Sequence, residues 1–194
     1  YNNLAATITA YFMISILMIA NSINSAEIRE YNVSMRDKSF ISVCKHSYNS
    51  SLKTVSCESE YNTETLLIEN GTLIQWKNVF SETRQFKAKV SGSEILTEGI
   101  AGDRSYKKSY PLNKDWIQSP PLMLTEFALS NRKKIKFYIN TGPRLTTMQA
   151  KKIKREPLLL QGQIFDTQKI KITPTGIFSK FWTGELWIDL RSGH

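Results

Sequence analysis

The sequence predicts a mainly β chain. The expected form is a long curved antiparallel sheet or an unclosed half-barrel with one or two short helices, preceded by an N-terminal signal or anchor helix. Three observations lead there. Several segments alternate apolar with charged residues at a period of two. Turn-forming pairs such as Asn70-Gly71 stand between them. The first 26 residues carry no charge and hold one long apolar run. At 41% hydrophobic and 22% charged, the 194 residues otherwise have a globular composition.

The apolar run is Leu4 to Ala20, 17 residues with only small polar interruptions. A spanning helix wants about 20 apolar residues, whereas a signal peptide has a shorter core followed by small residues. Ala20, Ser22 and Ala26 supply those, so residues 1–26 read as a signal peptide with the mature chain starting near Glu27. An uncleaved membrane anchor is the alternative. Residues 27–194 then form a single exported β-rich domain, periplasmic or extracellular, with no linker or repeat in view.

Cys44 and Cys57 flank the turn cluster Tyr48-Asn49-Ser50-Ser51. A hairpin centred between Ser50 and Ser51 sets these two residues directly opposite each other. In an oxidising compartment they would form a disulfide closing a short loop. Two cysteines with His46 leave a metal site without its fourth ligand, so neither metal nor cofactor is expected.

Further along, Phe86, Ala88 and Val90 alternate with Lys87 and Lys89. Ile135, Phe137 and Ile139 alternate with Lys134, Lys136 and Tyr138, and Ile170 and Ile172 with Lys169 and Lys171. Leu186, Ile188 and Leu190 close the series against Glu185, Trp187 and Asp189. Such one-sided alternation marks antiparallel sheet with one face on a core. Asn70-Gly71 is the strongest hairpin signal, with others at Ser91-Gly92 and Gly142-Pro143. Ser119 to Ser130 breaks the pattern and predicts a helix: Ser119 suits the cap, Pro120 the first turn, and Arg132 to Lys134 the C-terminal dipole. Thr146 to Ile153 reads as a second, weaker helix.

The net charge of +9 lies wholly after Ala26, concentrated in Arg132-Lys133-Lys134-Ile135-Lys136 and Lys151-Lys152-Ile153-Lys154-Arg155. Such a surface favours anionic partners, a lipid or another anionic envelope component, although the plain reading of both runs is a solvated strand face. No nucleic-acid-binding pattern is present. Nor is there a nucleophile elbow, zinc-protease motif or phosphate loop. Asp166, Glu185 and Asp189 read as strand-end and water-facing carboxylates rather than a glycosidase pair. The sequence therefore argues against an enzyme.

Four short features stand in the second half of the chain: Tyr110-Pro111-Leu112, the Ser119 to Leu122 segment, Gly162 with Asp166-Thr167, and Glu185 to Asp189. Over residues 105–191 these resemble a group of uncharacterised bacterial exported β-rich proteins of unknown function; the first half departs from them. The resemblance implies a long curved sheet similar to envelope lipoprotein carriers and carries no known activity. Another strand usually follows Glu-Leu-Trp-x-Asp in those proteins, so the chain is expected to be truncated at its C-terminus.

Two functional classes follow. One is a non-catalytic cell-envelope protein that cradles an amphiphile, such as a lipid or acyl chain, or an extended polymer. Its concave apolar groove would be lined by Ile74, Trp76, Phe137, Ile139, Ile170 and Leu186. The other is a structural or interaction module docking on another envelope protein by strand addition.

Overall fold

Eight strands follow one another in space in the same order as in sequence. They are β2 (Glu27–Met35), β3 (Lys38–Asn49), β4 (Leu52–Glu58), β5 (Thr63–Glu69), β6 (Thr72–Ser81), β7 (Arg84–Ser91), β8 (Glu94–Ala101) and β9 (Arg104–Pro111). Every neighbouring pair is antiparallel. The computed structural model describes residues 8–11, 27–35, 38–49, 51–142, 144–160, 162–176 and 182–191. Of the expected N-terminal leader it describes only β1 (Ile8–Tyr11); the rest lies outside the described residues.

The expected hairpin around Ser50-Ser51 forms in the expected register, with Asn49 opposite Leu52 and Cys44 opposite Cys57. The two cysteines are bonded across β3 and β4. Closing a loop of this length stabilises by about 3 kcal/mol in the chain-entropy account. At Asn70-Gly71 both residues take positive φ, 47° and 79°, the mirror-image turn that matches strand twist, and Glu69 pairs with Thr72.

A second sheet has the strand order β1-β14-β13-β12-β11-β10. It contains β10 (Asp115–Trp116), β11 (Lys134–Asn140), β12 (Leu145–Leu160), β13 (Gln163–Pro174) and β14 (Trp182–Asp189). The expected single sheet is thus two unclosed ones. The second is mixed, because β10 runs parallel to β11 and β1 parallel to β14. The Gln118 side chain prolongs the β10–β11 contact, accepting from the Asn140 backbone N–H and donating to its carbonyl.

The second helix expected at Thr146 to Ile153 is not one: the segment lies inside β12. Pairing on two sides decides this. Ala150 faces Ile135 on one flank and Ile172 on the other, and Met148 and Ala150 are buried while Gln149 and Lys151 turn outward. Ladder bonds to two neighbours outweigh the helix preference of Met-Gln-Ala-Lys, which amounts to only tenths of a kcal/mol per residue.

The helix expected at Ser119 to Ser130 forms as two short ones, α1 (Pro120–Met123) and α2 (Thr125–Leu129), separated at Leu124. Ser119 caps through its backbone carbonyl, which accepts from Leu122 and Met123, rather than through its hydroxyl. The cation at the C-terminal end is not from Arg132 to Lys134. It is Lys152 of β12, whose Nζ donates to the Ser130 carbonyl and lies 5.3 Å from the centre of the Phe127 ring.

Leu124, Phe127 and Ala128 cover the second sheet, packing with Phe137, Ile170 and Leu186. The meander buries Val55, Leu66, Trp76 and Ile95 in a separate cluster that Trp116 joins. Met123 touches both clusters and so links them. Among the described residues no helix is long and apolar enough to cross a membrane. The disulfide is compatible with an exported protein.

Candidate functional site on the second sheet

Because side chains alternate across a strand, burying Ile135, Phe137, Ala150, Ile170 and Ile172 turns their neighbours outward. The register then does something the linear sequence does not display. Lys134 of β11 lies opposite Lys151 of β12, which lies opposite Lys171 of β13. All three are exposed, and Lys136, two positions along from Lys134, is exposed on the same face. Directly opposed side chains on neighbouring strands stand about 5 Å apart at Cβ, where like charges repel.

The row ends at Glu185, opposite Lys171, but that carboxylate is engaged elsewhere. It pairs with Lys169 at 2.7 Å, whose ammonium also lies 4.6 Å from the centre of the Trp187 ring. The next carboxylate, Glu156, pairs with Lys154 at 2.6 Å and accepts the Trp187 indole N–H at 2.8 Å. Lys154 first, and Trp187 after it, hold the Glu156 carboxyl below its ordinary range. Asp166 is clasped by Arg155, which lowers its carboxyl in the same way. Glu156 and Glu185 on this face are therefore spent on Lys154 and Lys169, while Asp166, which shares the opposite face of β13 with Ile170, is spent on Arg155. Lys134, Lys136, Lys151 and Lys171 have no carboxylate partner among the described residues.

The six residues expected to line a groove do not share one surface. Trp76 is buried in the meander cluster, whereas Phe137, Ile170 and Leu186 belong to the cluster under α2, with Ile139 packed against it. Phe137, Ile170 and Leu186 have no exposed surface; Ile74 and Ile139 are half-buried. Asp166, Glu185 and Asp189 fall on β13 and β14, the first two in the ion pairs above and Asp189 buried.

No protein-family model, curated protein or solved structure matches the chain. The site is accordingly read from its own chemistry.

A second polar group, beside the disulfide, escaped the sequence reading. Glu64 of β5 lies opposite Cys57 on one side and Asn78 on the other. Its Oε1 accepts the Trp76 indole N–H at 2.7 Å, and Asn78 accepts from Asn62 at 2.9 Å. The residue as a whole is half-buried, and its carboxyl lies at the enclosed end. Burial pushes that carboxyl up to about 7, partly offset by the Trp76 hydrogen bond. A raised carboxyl binds its proton more tightly folded than unfolded, so the contribution of Glu64 to stability is fully present below pH 4.5 and is lost as pH rises through about 7. Glu64→Gln is expected to remove this slope and to exceed the wild type in stability at pH 8, by about 2 kcal/mol. Urea denaturation at several pH values checks it; parallel pH profiles for the two proteins would refute it.

Proposed function

We propose that the chain is a non-catalytic exported protein that docks the outer face of its second sheet on an anionic component of the cell envelope. The observation that carries this reading is the in-register row Lys134–Lys151–Lys171, with Lys136 beside it and the nearby acids already paired. Repulsion along such a row costs stability in the free chain and is relieved when an anionic surface covers it. An apolar groove is less well supported, since Phe137, Ile170 and Leu186 are packed by the chain's own side chains. Docking through the β9 edge is also less well supported. That edge carries exposed Arg104, Lys107 and Lys108, and charges on an edge strand deter strand addition.

Binding to an immobilised polyanion tests the reading. Lys134→Gln, Lys151→Gln and Lys171→Gln together should weaken binding by about 3 kcal/mol, on the scale of about 1 kcal/mol per lysine at an anionic surface. The same charge change at Lys77, Lys89 and Lys107, exposed on the meander, is the control. Equal loss in the two triple variants would reduce the effect to net charge and remove the site.

A further inference from the structure

The strands β12 and β13 outrun their neighbours. β11 pairs with β12 no further than Lys151, and β14 pairs with β13 no further than Thr167. From the Pro157–Asp166 pair to the Leu160–Gln163 pair the two strands form a ribbon that no third strand joins among the described residues, the last flanking bond being from the Leu190 N–H to the Asp166 carbonyl. Four residue pairs, three rises apart from first to last, extend about 10 Å. Near the end of this ribbon Leu159 and Ile164 stand opposite each other, 67% and 70% exposed, more than any other large apolar residue described. The next pair, Leu158 and Phe165, alternates to the other side of the ribbon and is half-buried.

Apolarity and charge are ordered along this arm. The apolar pairs Leu159–Ile164 and Leu158–Phe165 lie next to the terminal Leu160–Gln163 pair, the ion pairs Lys154–Glu156 and Arg155–Asp166 follow at the stem, and the row of Lys151 and Lys171 comes after them. We infer that the β12–β13 hairpin is a membrane-contacting arm whose tip enters the interfacial layer of an anionic bilayer while the lysine face rests on the headgroups. The inference rests on the docking reading above and names the anionic component as lipid. Two features favour a bilayer over a protein partner. Apolar side chains occupy both sides of the ribbon, and a bilayer surrounds an inserted element whereas a protein groove covers one side. The ribbon also matches in length the roughly 5–10 Å that interfacial elements penetrate, which leaves the lysine row beyond its stem at headgroup level.

Flotation of the full chain with phosphatidylglycerol–phosphatidylcholine vesicles tests this, at about 0.1 M and about 1 M salt, where the screening length falls to roughly 3 Å. The wild type should float at low salt and keep a salt-resistant fraction. Leu159→Ser/Ile164→Ser, altering two exposed side chains, should bind roughly 100-fold more weakly and lose that fraction. Equal flotation of the two proteins, stripped alike by salt, would overturn the arm and leave lysine-face docking intact. Binding to soluble polyphosphate without binding to vesicles would overturn lipid as the partner. Failure to bind either would overturn the docking reading as well. Self-association of the wild type that the double variant abolishes, in the absence of vesicles, would assign the tip to a second copy of the chain instead.

Discussion

Phe137→Ala is expected to cost the fold about 3–5 kcal/mol. The ring has no exposed surface and lies with Leu124 and Phe127 of the helical segment and with Ile170 of β13 and Leu186 of β14 in one buried cluster. Met148 stands directly opposite on β12. Neighbours anchored in three strands and the helical segment cannot all collapse into the space, so the variant keeps much of the cavity. Urea denaturation should show a lower midpoint at an unchanged slope, the sign of altered stability rather than altered compactness. A loss below about 1 kcal/mol would mean that the ring borders an open groove, and would restore the amphiphile reading.

Gly99→Ala is the second large effect, at about 3 kcal/mol. A Cβ on residue 99 would sit 2.3 Å from the Gln85 carbonyl oxygen and 3.1 Å from the Phe86 Cα, both backbone atoms of β7. It would also meet the Tyr106 hydroxyl at 2.8 Å, because Tyr106, opposite Gly99 on β9, lies over the glycine. Tyr106 can turn aside, but the carbonyl can move only if the β7–β8 ladder opens. The control is Gly92→Ala, a turn position with φ of 60° and nothing within 4 Å. There only the left-handed conformation is penalised, at about 1 kcal/mol. Thermal denaturation of both variants separates crowding from backbone strain; similar losses would contradict the crowding at Gly99.

Strand content was legible because burial on one side writes a period of two into the sequence. Ile135-Lys136-Phe137 and Phe86-Lys87-Ala88 show it without help from tertiary structure. The disulfide was legible for a related reason, since a symmetric turn fixes register and register fixes which residues oppose each other. Turns lacking Asn-Gly chemistry were harder to read. Glu82-Thr83 joins β6 to β7 without a glycine, and the turn at Ser59–Asn62 is held by the Ser59 hydroxyl. The regular spacing of the meander therefore went unseen. Thr146 to Ile153 was misread because its strand state is imposed by neighbours on both sides, far away in sequence. The candidate site was hidden by the same non-locality. Lys134, Lys151 and Lys171 each look like an ordinary outward strand residue, and only the pairing of three strands gathers them. Glu64 did leave a signal, standing two positions before Leu66 and four before Ile68 on the inward face.

Lysine reactivity tests the central claim most directly. The full chain would be acetylated with and without an anionic surface, and each modified lysine quantified by mass spectrometry. The account predicts that Lys134, Lys136, Lys151 and Lys171 become protected together, while Lys77, Lys89 and Lys107 on the meander react at unchanged rates. Protection spread evenly over both sets, or confined to the meander lysines, would contradict it.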